Sequence, residues 1–153
     1  MRGYWFLVLG SLFFVLCYWF FVGSCLGRGL VKITCFEEIE GWQLARELSK
    51  QIYSLTRHEK FSRDFGLIDQ IRRASGSVMH NIAEGFDAGS NPEFTRFLRF
   101  AQRSCTEVMS ELYVALDQGY VSQSEFDSVY QLATQTHAKI GGFISYLVRT
   151  RPN

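Results

Sequence analysis

The stretch Gln70-Ile-Arg-Arg-Ala-Ser-Gly-Ser-Val-Met-His-Asn-Ile-Ala-Glu-Gly-Phe86, taken as a helix, carries two different faces. Leu67, Ile71, Ala74, Val78 and Ile82 recur every three or four residues, which stacks them on one side and predicts a core-facing stripe. Gln70, Ala74, Ser77, Asn81 and Glu84 make a second seam beside the first. That seam is too polar for a core and too small for an ordinary solvated surface. It predicts a second helix that comes close and makes hydrogen bonds, so Gln70, Ser77, Asn81 and Glu84 are candidates for an oligomer or helix interface. For Asn81 and Glu84 the plainer expectation is that they tie neighbouring helices or loop amides together within one subunit.

Outward from this segment the punctuation is helical throughout. Thr34 and Glu37 have capping-box spacing, and Phe36, Ile39, Trp42, Ala45, Leu48, Ile52 and Leu55 then repeat as one stripe to about Thr56. His58-Glu59-Lys60 reads as the exit loop, and the second helix is expected from about Arg63 to Glu84, closed by Gly85. Asn91-Pro92 signals a third helix, with Asn as cap and Pro at the first helical position, running to Gly119. Its stripe is Phe94, Phe97, Leu98, Ala101, Cys105, Val108, Leu112, Ala115 and Leu116. Ser122 and Glu125 supply another capping box, and Phe126, Val129, Ala133, Ile140, Phe143, Ile144 and Leu147 line a fourth helix to about Arg149. Gly141 and Gly142 weaken that helix by about 1 kcal/mol each relative to alanine, which points to close helix contact there. No segment alternates as a strand does and the connections are short. These signals predict an all-α, up-down-up-down antiparallel four-helix bundle over residues 34–153.

Residues 1–33 form a separate hydrophobic leader, expected as an extra N-terminal hydrophobic helix. Residues 4–26 carry no charge, and about 20 helical residues suffice to cross a bilayer. Three accounts fit: a membrane anchor through residues 4–26, a translation start that lies further downstream, or a cleaved signal with a lipidation box at Val22-Gly23-Ser24-Cys25. Arg28, Lys32 and Arg46 lie beyond the apolar run and only Arg2 precedes it, a bias that favours a cytoplasmic bundle, anchored if the leader is retained.

The formal charge of the 153-residue chain is +1, but every acid lies at Glu37 or later. Beyond Lys32 there are 13 basic and 15 acidic residues, a net of −2. Such a body has no global field to draw in nucleic acid, so any such contact needs a local cluster. Two clusters qualify: Arg72 with Arg73, and Arg96, Arg99 and Arg103 on the outer face of the third helix. All five are candidate nucleic-acid contacts, and Arg72 or Arg73 could instead cross a subunit interface. The plainer expectations are a charged solvated face for the third-helix stripe, and pairing of Arg72 and Arg73 with Asp69, Glu84, Glu107 or Glu111. No catalytic residue, cofactor or metal site is indicated. His80 and Glu84 have ligand spacing but no further ligands, the four cysteines lack zinc or disulfide spacing, and no glycine-rich phosphate loop or nucleophile constellation stands out. Cys105 lies on an apolar stripe and is expected as a small buried hydrophobe.

Phe36-Glu-Glu-Ile, Trp42-Gln-Leu-Ala, Gln70-Ile-Arg-Arg-Ala, Asn81-Ile-Ala-Glu-Gly-Phe, Glu93-Phe-Thr-Arg-Phe-Leu and the stretch from Ala101 to Glu107 resemble a bacterial family of four-helix-bundle proteins. These are encoded in intervening sequences of large-subunit ribosomal RNA genes, and the family is similar to the accessory variability proteins of diversity-generating retroelements. The resemblance spans about Phe36 to Arg149 and implies a bundle assembling as a ring-like homopentamer. It also implies RNA or DNA as a partner and, from the retroelement relatives, a reverse transcriptase or other protein. Arg103, where the family usually has glycine, and Asp87-Ala88, where a basic residue is common after Phe86, depart from the pattern and change surface charge. The combined expectation is a non-enzymatic oligomeric scaffold that binds RNA or DNA. The alternative is a membrane-tethered protein-interaction module.

Overall fold

The structure, a computed structural model, describes residues 33–150. The expected leader helix, its membrane contact through residues 4–26, and Cys17 and Cys25 lie outside the described residues. Four helices form the bundle: α1 (Glu40–Leu55), α2 (Phe65–Asp87), α3 (Asn91–Asp117) and α4 (Gln123–Arg149). Each packs on the next and α4 closes against α1, the antiparallel up-down-up-down arrangement that the periodicity predicts. No strand occurs among the described residues, and no helix there is long and apolar enough to cross a membrane.

The core forms two layers along the bundle. One gathers Leu48, Ile52, Ile71, Val108, Leu112 and Ala133 with Phe61 from the α1–α2 connection. The other gathers Ile39, Val78, Ile82, Leu98, Cys105 and Ile140. Burying each large aliphatic chain contributes about 1.5 to 3 kcal/mol, far more than the local penalties of individual glycines. Buried hydroxyls turn back on their own helices: Ser75 donates to the Arg72 carbonyl at 2.9 Å and Thr136 to the Leu132 carbonyl at 2.7 Å. Among the described residues, no buried side-chain nitrogen or oxygen lacks a partner.

Several boundaries depart from the expected ones. Thr34 pairs with Glu38 and not with Glu37: its amide and hydroxyl donate to the Glu38 carboxylate at 2.8 and 3.1 Å. The chain there makes a single 3-10 turn, Phe36–Glu38, and α1 begins only at Glu40. Ile39 breaks the run with extended backbone (ψ 114°), burying its own side chain, while the Phe36 ring meets Trp42 edge-on at 5.1 Å. Burial of these apolar groups outweighs an uninterrupted first turn.

Helix α2 starts later and ends later than expected. A 3-10 turn, Phe61–Arg63, precedes it, and the Asp64 carboxylate caps it by accepting from the Leu67 amide at 3.0 Å. Gly85 does not close this helix; it is buried inside it. A Cβ at Gly85 would lie 2.7 Å from Phe97 Cβ and 2.8 Å from Phe94 Cδ2, so the glycine serves the close approach of α2 to α3. The left-handed residue is Gly89, with φ +71°. Ser90, not Asn91, caps α3, its hydroxyl accepting from the Glu93 amide at 3.4 Å, with Pro92 in the first turn. At the far end of α3 the Gly119 and Tyr120 amides donate to the Leu116 and Ala115 carbonyls, both at 2.9 Å, a Schellman closure around Gly119. The Ser122–Glu125 capping box opens α4 as expected.

Candidate nucleic-acid interface

Helix α3 buries Phe94, Leu98, Ala101 and Cys105, and at 100° per residue this carries Arg96, Arg99 and Arg103 to its outer face. All three are exposed and the structure brings them together in one stripe. They differ in engagement. Arg96 is partly neutralised by Glu93 at 3.1 Å and sits 5.5 Å from the Phe97 ring centre. Arg103 lies 5.7 Å from the centre of the half-exposed Phe100 ring. Among the described residues neither Arg99 nor Arg103 has a carboxylate within ion-pair distance.

Arg72 and Arg73 do not join that stripe. Arg72 turns towards α1: its Nε donates to the buried Thr56 hydroxyl at 2.9 Å, and its guanidinium stands 4.7 Å over the Tyr53 ring. Arg73 points to solvent and pairs with Asp69 at 3.2 Å, the one pairing realised among those expected for the two arginines. A hydroxyl and a ring, neither bearing charge, hold Arg72.

The second seam of α2 divides. Ala74 is buried and belongs to the core, Ser77 and Asn81 are half-buried, and Gln70 and Glu84 are exposed. Asn81 Nδ2 donates to the Ser77 carbonyl at 2.7 Å and its hydroxyl at 3.2 Å, so among the described residues it is tied to its own helix and not to a neighbour. Gln70 and Glu84 make no side-chain hydrogen bond to another described residue. Among the described residues of one subunit this seam therefore binds no second helix through hydrogen bonds.

Burial pushes the Cys105 thiol up to about 12, which keeps it protonated and removes it as a nucleophile. Burial and then the charge of Glu107 raise the Glu111 carboxyl above the ordinary carboxylate range. No group of three or more potential metal ligands occurs among the described residues.

Five surface aromatics escaped the sequence reasoning: Tyr53, Phe65, Phe100, Tyr113 and Tyr146. Each falls off the apolar stripe of its own helix, and a large ring out of register with a stripe must stand in solvent, so the signal was available.

These features define an all-α bundle with a basic outer stripe and no catalytic constellation among the described residues. The chain belongs to the family of 23S rRNA-intervening sequence proteins, whose model matches residues 37–142. It is also similar to a crystal structure from Bacteroides thetaiotaomicron of a protein with unknown function from the S23 ribosomal protein family. The two share 20% identity with a TM-score of 0.64, over 69% of this chain and 95% of that one, a likeness of fold. None of the curated proteins matches the chain.

Proposed function

We propose that this protein is a non-enzymatic scaffold that assembles with copies of itself and contacts the phosphate backbone of RNA or DNA in the cytoplasm through the outer face of α3. The observation that carries the proposal is the exposed pair Arg99 and Arg103, which no acid neutralises among the described residues of a chain whose body is otherwise slightly acidic. Arg96, shared with Glu93, contributes less. Assembly matters because one short stripe is weak. Repeated around an oligomer, pentameric by the family resemblance, several stripes act together through effective concentration.

The test is binding of labelled RNA and DNA to the full chain over a range of salt concentrations. The doubly substituted Arg99→Glu, Arg103→Glu protein should bind far more weakly. Its dependence of log affinity on log salt should be shallower by about 1.8 for a duplex or about 1.4 for a single strand. Unchanged affinity and slope would remove α3 from the interface. Light scattering gives the subunit number, and a monomer at working concentration would defeat the assembly part.

A further inference from the structure

Building on the nucleic-acid proposal, we infer that the preferred ligand is single-stranded, its unpaired bases stacking on Phe65 and Phe100 while Arg72 and the α3 arginines hold its phosphates. Phe65 is the most exposed large apolar residue described, at 80%, and stands on the first turn of α2. It borders an open groove of about 520 Å³ between α1 and α2, lined also by Tyr53, Ile68, Arg72, Arg73 and His80. A groove of that size accommodates a nucleotide.

Arg72 is pre-organised in this groove. Its Nε is fixed on Thr56 and its plane lies against Tyr53, while its two terminal nitrogens make no hydrogen bond and meet no carboxylate among the described residues. A guanidinium fork held this way meets an oxyanion without first losing side-chain freedom. The α3 stripe repeats the composition: Phe100, 38% exposed, has Arg103 5.7 Å from its ring centre, and Arg99 beside it in sequence. Two patches on different helices thus pair an exposed or half-exposed ring with an arginine that no acid neutralises among the described residues.

Phosphate contacts alone would serve a duplex, and bare rings would add nothing, because paired bases are stacked on one another and present only their edges. Rings become useful when bases are unpaired, since every base has a face to stack. Arg72 and Arg73 outnumber Asp69 in the groove, which favours an anionic occupant over a second copy of this slightly acidic body.

The experiment compares the full chain with labelled oligouridine and oligothymidine of about 20 nucleotides, long enough for a site of roughly 4 to 16, and with a blunt duplex. Both single strands should bind more tightly than the duplex, and the RNA and DNA arms show whether the sugar matters. Phe65→Ser and Phe100→Ser should each weaken single-strand binding by about 5- to 150-fold, the range seen when one stacking ring is removed. Duplex binding should not change. Phe65 is too exposed for its loss to unfold the bundle, so it keeps the test valid even if Phe100→Ser is damaged. Duplex binding as tight as single-strand binding, with the arginine dependence intact, overturns the single-strand inference and leaves the nucleic-acid proposal standing. A Phe65→Ser protein that binds strands normally but changes its mass in light scattering overturns it too, making Phe65 a subunit contact. Failure of every oligonucleotide to bind defeats both.

Discussion

Gly85→Ala should destabilise the bundle, although on helix propensity alone it should stabilise it. Replacing an interior helical glycine by alanine contributes about 1 kcal/mol of stability. Here the new methyl would sit 2.7 Å from Phe97 Cβ, about 0.7 Å short of the 3.4 Å where ordinary contact begins. The Phe94 ring, 2.8 Å away, can rotate, but Phe97 Cβ is fixed to the α3 backbone. Relief therefore requires α2 and α3 to part locally, and a gap of 0.5 to 1 Å forfeits roughly a quarter to a half of each dispersion contact around it. Ile82, Phe94 and Leu98 lie in the core layer that would open. Overpacking of this kind costs up to about 3 kcal/mol, so the net expectation is a loss of about 1 to 2 kcal/mol, or roughly 4 to 8 °C in Tm. Gly142→Ala is the internal control, because a Cβ there meets nothing within 4 Å and should stabilise by about 0.5 to 1 kcal/mol. Urea unfolding at one subunit concentration measures both. If the two variants gain equal stability, α2 and α3 do not approach at Gly85.

Ser122→Ala removes the hydroxyl that caps α4 and should cost about 1 kcal/mol in the same assay. The carboxyl of Glu125 is held below its ordinary value of 4.5 by the Ser122 amide, then by the Ser122 hydroxyl, with a smaller effect from His58. Its contribution is present above 4.5 and is lost as pH falls through the lowered folded value, so the deficit of Glu125→Gln at neutral pH should close on acidification. Glu111→Gln should do the opposite. The raised folded pKa of Glu111 means that the ionised group destabilises the bundle at neutral pH, so the variant is more stable there, and its advantage disappears below 4.5. Denaturation across a pH series that gave both variants the same sign would contradict these assignments. Cys105, fully buried with its thiol pushed up to about 12, should be alkylated by iodoacetamide only at the rate of unfolding. Mass mapping checks this, and rapid native labelling would contradict the packing.

The four helices, their order and most of the core were legible because their causes are local. An apolar stripe at helical spacing, a proline in a first turn or a serine three residues before a glutamate constrains the backbone within one or two turns. For α4 this was enough to give the start and the Ser122–Glu125 box. Phe65 and Phe100 were legible in principle, since each departs from its stripe.

The chain order alone could not say which side chain lies across from which. Gly85 has the same sequence context as a helix-closing glycine, and only the approach of Phe94 and Phe97 from α3 shows it to be a packing residue. Arg72 had four acids as expected partners, yet the pairing of α1 with α2 supplied Thr56 and Tyr53 instead. Glu38 took the place of Glu37 because burying Ile39 and folding Phe36 onto Trp42 turned the chain before α1 began. Helical periodicity is a property of neighbouring residues, whereas these contacts join residues brought together by packing, and their energies exist only once the bundle has closed.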